Sequence, residues 1–455
     1  MQTSAISLAN QMRKGKLDPV DLAEQVLERI ANCDDPAIFT ETTQQRALSE
    51  AKAARKRLKA GKPASALDGV PLAWKDLFDL KGRVTTAGSV VLRGNAPASQ
   101  DASLVTAAKA AGLVTVGCLN MTEFAYSGIG FNPHFGTPRN PHGPSAHDGG
   151  PARIPGGSSS ACGVVVARGL VPISIGTDTG GSIRIPASFN GVVGYKPSTG
   201  HFPMDGVFPL ARSFDVLGPL AHSVADCVVV DAVLQGRTRP KPRRIPLTTL
   251  QILVPETLVF DSCDTAVRAN FEAAIERLAL AGAQVWRAPM PQLQDIFDLT
   301  ARRGSISNAE ALMLHWDRVH GPDAARMDPR VVRRIRMAQP MTAVDLLEII
   351  PARARLIAET NALIGEALVA FPTTPNTALP LAPLVDDIEA FFRANAKTLR
   401  NTMLGNFLDW CGLSIPSGFD GDGMPTGFLL SAPHGRDTAL LSAGLSAEHL
   451  IRGQT

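Results

Sequence analysis

Residues 155–186 read PGGSSSACGVVVARGLVPISIGTDTGGSIRIP. Behind two glycines and three serines, "ACGVVVARG" (161–169) reads as a helix, and "LVPISIGT" (170–177) is an apolar run of strand length. The run ends in Asp178-Thr179-Gly180-Gly181-Ser182, a loop so poor in side-chain bulk that its backbone can be approached closely. A glycine loop, a helix, a buried strand and a second glycine loop make one unit of an α/β fold.

The same alternation runs outward. Asp18-Pro19 reads as N-cap and first residue of a helix with Leu22, Val26 and Ile30 on one face. A second helix, rich in Ala, Lys and Arg, is expected over about 41–60, stopping at Gly61. "GVPLAWK" (69–75) reads as a strand entering a turn, and 113–119 as a buried strand after a short helix. Downstream come helices at 224–236 and about 264–281, late strands in "LVAFP", "LSIPSGF" and "TGFLLSAP", and a closing helix near 438–451. The expected fold is α/β, with a mixed, largely parallel central sheet covered by helices on both faces. One domain over residues 1–455 is expected, with a peripheral helical, specificity-determining part at about 290–400.

The 455 residues are 45% hydrophobic and 19% charged, the make-up of a globular chain. With 45 basic and 42 acidic residues the charge is too balanced to imply nucleic acid. The one basic cluster, "RTRPKPRR" (237–244), is interleaved with proline and reads as a solvated linker. Six scattered cysteines form no C-x-x-C pair, which argues against a zinc site or disulfide framework. With no signal-peptide pattern and no apolar run near 18 residues, a soluble cytoplasmic protein is expected.

Three chemistries could use the glycine loops. A phosphate cradle fails, because neither G-x-x-x-x-G-K-[ST] nor a G-x-G-x-x-G opening a helix is present. Asp178-Thr179-Gly180 matches the aspartic-protease triplet, but no second D-[ST]-G exists to share a proton. Acyl transfer fits: a serine hydroxyl needs a base, and the oxyanion needs backbone N–H donors. Thr179, Gly180, Gly181 and Ser182 could present such donors. For the base, none of nine histidines is marked by its spacing. A lysine works only if desolvation keeps it neutral, and Lys75 stands at the end of an apolar run.

"GVPLAWKDLFDLKGRVTTAGS", "NMTEF", the 155–198 stretch and "LGPLAHSVAD" together resemble the amidase signature family, in the family's order, over a core of about 60–235. "FLDWCGLSIPSGFDGDGMPTGFLLSAP" resembles the family's late strands. The resemblance implies a Ser–Ser–Lys triad: nucleophile Ser182, bridging Ser158 and base Lys75, with a cis peptide bond at Gly157–Ser158. Where the family usually has Gly-Gly after the two serines, this chain has Ser160-Ala161. Ser159 is expected to cap the following helix. Asp178 reads as an acceptor organising the loop, and Glu123 either lines the pocket or braces a loop. Arg184, Tyr126 and Gly157 are candidate substrate contacts, Arg184 through a substrate carboxylate.

The implied activity is hydrolysis of a small linear amide through an acyl-enzyme. The alternative is the amidase component of a glutamine-dependent tRNA amidotransferase complex. No metal or organic cofactor is implied. The expected partner is a small-molecule amide, with no nucleic acid and no membrane; a homodimer is compatible with the sequence.

Overall fold

Strand alternation sorts the buried side chains of this chain onto two faces of one sheet. The computed structural model describes residues 4–143 and 150–454. Its strands are β1 (Phe39–Thr42), β2 (Pro71–Lys75), β3 (Val114–Leu119), β4 (Ile173–Asp178), β5 (Val193–Lys196), β6 (Val216–Ala221), β7 (Gln251–Pro255), β8 (Gln284–Ala288), β9 (Leu368–Pro372), β10 (Cys411–Phe419) and β11 (Pro425–Ala432). They form one 11-stranded sheet in the order β1-β3-β2-β4-β6-β5-β10-β11-β9-β7-β8.

On β9, Leu368 and Ala370 join a cluster with Phe271, Leu278 and Leu440, from the helices Thr265–Leu280 and Asp437–Ile451. Their neighbours Val369 and Phe371 join Leu293, Leu356 and Leu404 on the other side, from the helices Gln292–Arg303, Ala343–Ile364 and Ile388–Phe407. The split follows the two-residue period of a strand, so both faces of the sheet are covered.

The mixed sheet expected from the sequence forms, with a smaller parallel share. β2–β3, β2–β4, β7–β8 and β7–β9 are parallel, and the other neighbours are antiparallel. Three of the six antiparallel pairings involve β5 and β6, whose sequences "VGYK" and "VLGPLA" carry glycine and proline and little strand signal. Asp18 caps its helix as expected, accepting from the Val20 N–H. The second helix begins at Gln44 rather than 41, because Phe39–Thr42 pairs with β3 as an edge strand. Among the described residues no helix is long and apolar enough to cross a membrane.

Because β2 and β4 run parallel side by side, Lys75 and Asp178 end their strands at the same edge of the sheet. The helix Ser160–Ala167 packs against these strands, and its first turn follows Ser158 and Ser159.

Candidate active site

Lys75 is fully buried. Its Nζ lies 2.8 Å from Ser158 Oγ and 2.7 Å from Thr177 Oγ1. Burial pushes its pKa down to about 7, against the weaker upward pull of Cys162, Asp215 and Asp178. No carboxylate sits within ion-pair distance among the described residues. The Cys162 thiol adds no charge at neutral pH, because burial pushes its pKa up to about 12. The adjacent acids turn away: Asp76 accepts from Thr86 and Asp79 from Thr85. Trp74, one position earlier on β2, donates to the Thr115 hydroxyl and packs its ring, tilted, 5.0 Å from that of Phe78. Strand alternation therefore puts it on the face opposite Lys75.

The three serines divide their work. Ser158 follows a cis peptide bond from Gly157 and meets Lys75. A Cβ at Gly157 would come within 2.7 Å of the Ser127 carbonyl oxygen and the Gly130 nitrogen, so the position excludes a side chain. Ser159 stands at the helix N-cap but makes no capping bond there. Its hydroxyl donates to the Thr177 carbonyl at 3.2 Å, tying the loop to β4 instead. Ser160 lies 3.4 Å from the Asn120 carbonyl. The Ser159 N–H donates to the Ser182 carbonyl at 3.3 Å, which sets the two serine loops against each other. No hydrogen bond joins the Ser158 and Ser182 hydroxyls.

Asp178 shapes the loop after β4. Its carboxylate accepts from the N–H of Gly181 at 2.9 Å and of Ile183 at 3.1 Å, from Arg184 Nε and Nη2, and from Asn406 Nδ2. Burial raises its pKa, but Arg184 and Lys196 more than offset this and hold it well below the usual carboxylate range. Gly181 has φ +135°, and a Cβ there would lie 2.2 Å from Thr402 Oγ1, so only glycine fits. The expected donor set is thereby reduced. The Gly181 N–H is engaged by Asp178, whereas those of Thr179, Gly180 and Ser182 have no acceptor among the described residues.

Arg184 is buried, and its guanidinium is held by Asp178 and Asn406. Nε and Nη2 are taken by these partners and the side chain is buried, so the geometry favours bracing over the expected contact with a substrate carboxylate. Arg184→Leu leaves Asp178 buried without its main counter-charge, which should cost about 3–5 kcal/mol of stability in denaturant unfolding. Acidic and neutral amides should lose activity equally; a KM effect confined to acidic amides would put Arg184 on the substrate.

Tyr126 is buried, its hydroxyl donating to Asn308 and its ring lying under Arg334. Glu123 accepts from Ser89 at 2.6 Å and from the Asp328 N–H at 2.7 Å, which braces the signature core against the helix Pro329–Arg336. Sequence reasoning missed three participants. Thr177 holds Lys75, buried Asp215 accepts from the Thr179 hydroxyl, and Thr402 donates to the Gly180 carbonyl at 2.7 Å. The usable signals were polar residues within or beside apolar strand runs: Thr177 in "ISIGTD" and Asp215 before "VLGPLA". Among the described residues no cluster of His, Cys, Asp or Glu could hold a metal.

A buried lysine on a serine, beside a glycine loop with open N–H groups, is equipment for acyl transfer. The amidase family model matches residues 21–441, and the chain belongs to the amidase signature family of C–N bond hydrolases. It is 33% identical to the 2-amino-5-chloromuconic acid deaminase of Comamonas testosteroni over 99% of this chain and 97% of that protein. It is 32% identical to one subunit of the glutamyl-tRNA(Gln) amidotransferase of Acidothermus cellulolyticus, over 100% of this chain and 95% of that one. The crystal structure of an amidase superposes with TM-score 0.85 at 29% identity, covering 97% of this chain and 98% of that one.

Proposed function

We propose that the chain cleaves a small linear amide to a carboxylate and ammonia or an amine, through an acyl-enzyme on Ser182. Neutral Lys75 takes the Ser158 proton as Ser158 takes that of Ser182, and the freed oxygen attacks the carbonyl. The N–H groups of Thr179, Gly180 and Ser182 receive the oxyanion. The proton returns through Ser158 to the leaving nitrogen, and water then releases the acid by the same relay in reverse. The observation that carries this reading is the contact of a buried, uncompensated Lys75 with Ser158. The open step is Ser158 to Ser182, a bond that catalytic sites commonly tighten only when substrate binds. Ammonia release from a panel of small primary amides by the purified chain tests it, and no turnover of any amide would refute it.

The second reading, the glutaminase component of a tRNA amidotransferase, is supported by the near-full-length similarity to such proteins. It requires that glutamine be hydrolysed only in the presence of partner subunits. Turnover of other amides by the isolated chain decides against it.

A further inference from the structure

The helical layer at 292–364 treats its arginines in two ways. Three of its arginines are ion-paired at the surface, Arg303 with Asp345 and Glu348, Arg333 with Glu389 and Arg355 with Glu359, whereas Arg302 and Arg336 bond only backbone carbonyls. Arg334, next to Arg333, has no carboxylate within 4 Å among the described residues. Its guanidinium lies 4.6 Å from the Tyr126 ring centroid, and Nη1 donates to the Tyr126 carbonyl at 3.0 Å. The residue is half-buried, and burial lowers its pKa. Two more arginines of this layer, Arg318 and Arg353, also lie over aromatic rings, Phe124 and Phe214, with no acid partner among the described residues.

Tyr126 connects this positive charge to the reaction centre. Two residues on, the Gly128 carbonyl accepts from the Gly157 N–H at 2.8 Å, and Gly157 is bonded to Ser158. The Tyr126 hydroxyl donates to Asn308 Oδ1, leaving the Asn308 Nδ2 donors without an acceptor among the described residues. A half-buried guanidinium with an amide beside it and no carboxylate partner among the described residues is open to an anion, and the planar fork of arginine matches a carboxylate in two-point contact.

We propose that Arg334, assisted by Asn308, anchors a carboxylate carried by the substrate, so the enzyme prefers amides of dicarboxylic acids to neutral amides. This rests on the amidase reading for what happens at the other end of the substrate, but binding tests it separately. Succinamate and glutaramate, with butyramide and valeramide as neutral counterparts, are titrated calorimetrically into Ser182→Ala protein. The acids should bind at least 10-fold more tightly than the neutral amides. Adding Arg334→Gln should weaken the acids by on the order of 10- to 100-fold, the scale of hydrogen bonds to a charged group, and leave the neutral amides within 2-fold. Arg334→Lys should fall between, and Arg333→Gln should change nothing. No preference for the acids, no binding of them, or a loss shared equally by both series on Arg334→Gln would overturn the proposal. Ammonia release from the same compounds by the unmutated enzyme reports on the amidase reading alone. Selective binding without turnover would refute that reading and leave the anchor standing.

Discussion

Lys75→Ala should lower kcat/KM by on the order of 10³–10⁴-fold, the upper range for loss of a positioned general base, and abolish the pH dependence on which the proposed mechanism rests. The sign follows from the environment. Burial brings the Lys75 pKa down to about 7, so below that pH the amine is an ammonium and cannot take the Ser158 proton. With an activated anilide, kcat/KM should rise about tenfold per pH unit on the acid side and plateau above about pH 8. Arginine should not rescue the activity, since a guanidinium stays charged across this range. Asp215, whose pKa burial raises to about 6, pulls Lys75 upward without bonding to it. Asp215→Asn should therefore keep the alkaline rise and move its midpoint to lower pH. A Lys75→Ala protein that retains both rate and alkaline rise would reopen a histidine mechanism.

What was legible in the sequence was what local pattern decides. Proline after aspartate marked the helix at residue 19, and predominantly apolar runs marked β3, β4 and β9. Lys75 and the serines came from a long motif whose loops are short of side chains because backbone must be approached. What escaped depends on contacts across the sheet. β5 and β6 exist because β10 and β4 offer edges for them, which a four-residue "VGYK" cannot announce. The face Trp74 takes depends on strand phase, so its place next to Lys75 in sequence does not put it beside the lysine. The Gly181 N–H looked like an oxyanion donor until the reach of Asp178 was visible. Arg184 carries the same charge whether it meets a substrate or Asp178, and Asn406, 222 residues away, decides which.

The other large effect belongs to the two serines. Ser182→Ala should reduce turnover by about 10⁶-fold, the scale of removing a serine nucleophile from an acyl-transfer enzyme, with the fold unaffected because only one hydroxyl is removed. A fluorophosphonate should modify the parent enzyme once and this variant not at all, as read by intact-protein mass; an adduct on another serine of the variant would refute the assignment. Ser158→Ala should cost roughly 10²–10⁴-fold, since water can replace a relay poorly but a nucleophile not at all. Ser159→Ala removes a buried donor to the Thr177 carbonyl, so its effect should be mainly on stability, about 1–3 kcal/mol. Rate losses in a unit are not additive. If Lys75 acts only through Ser158, the double variant Lys75→Ala/Ser158→Ala should be no slower than the worse of the two singles. A product of the two losses would mean that lysine and bridging serine serve separate steps, and the single relay would have to be abandoned.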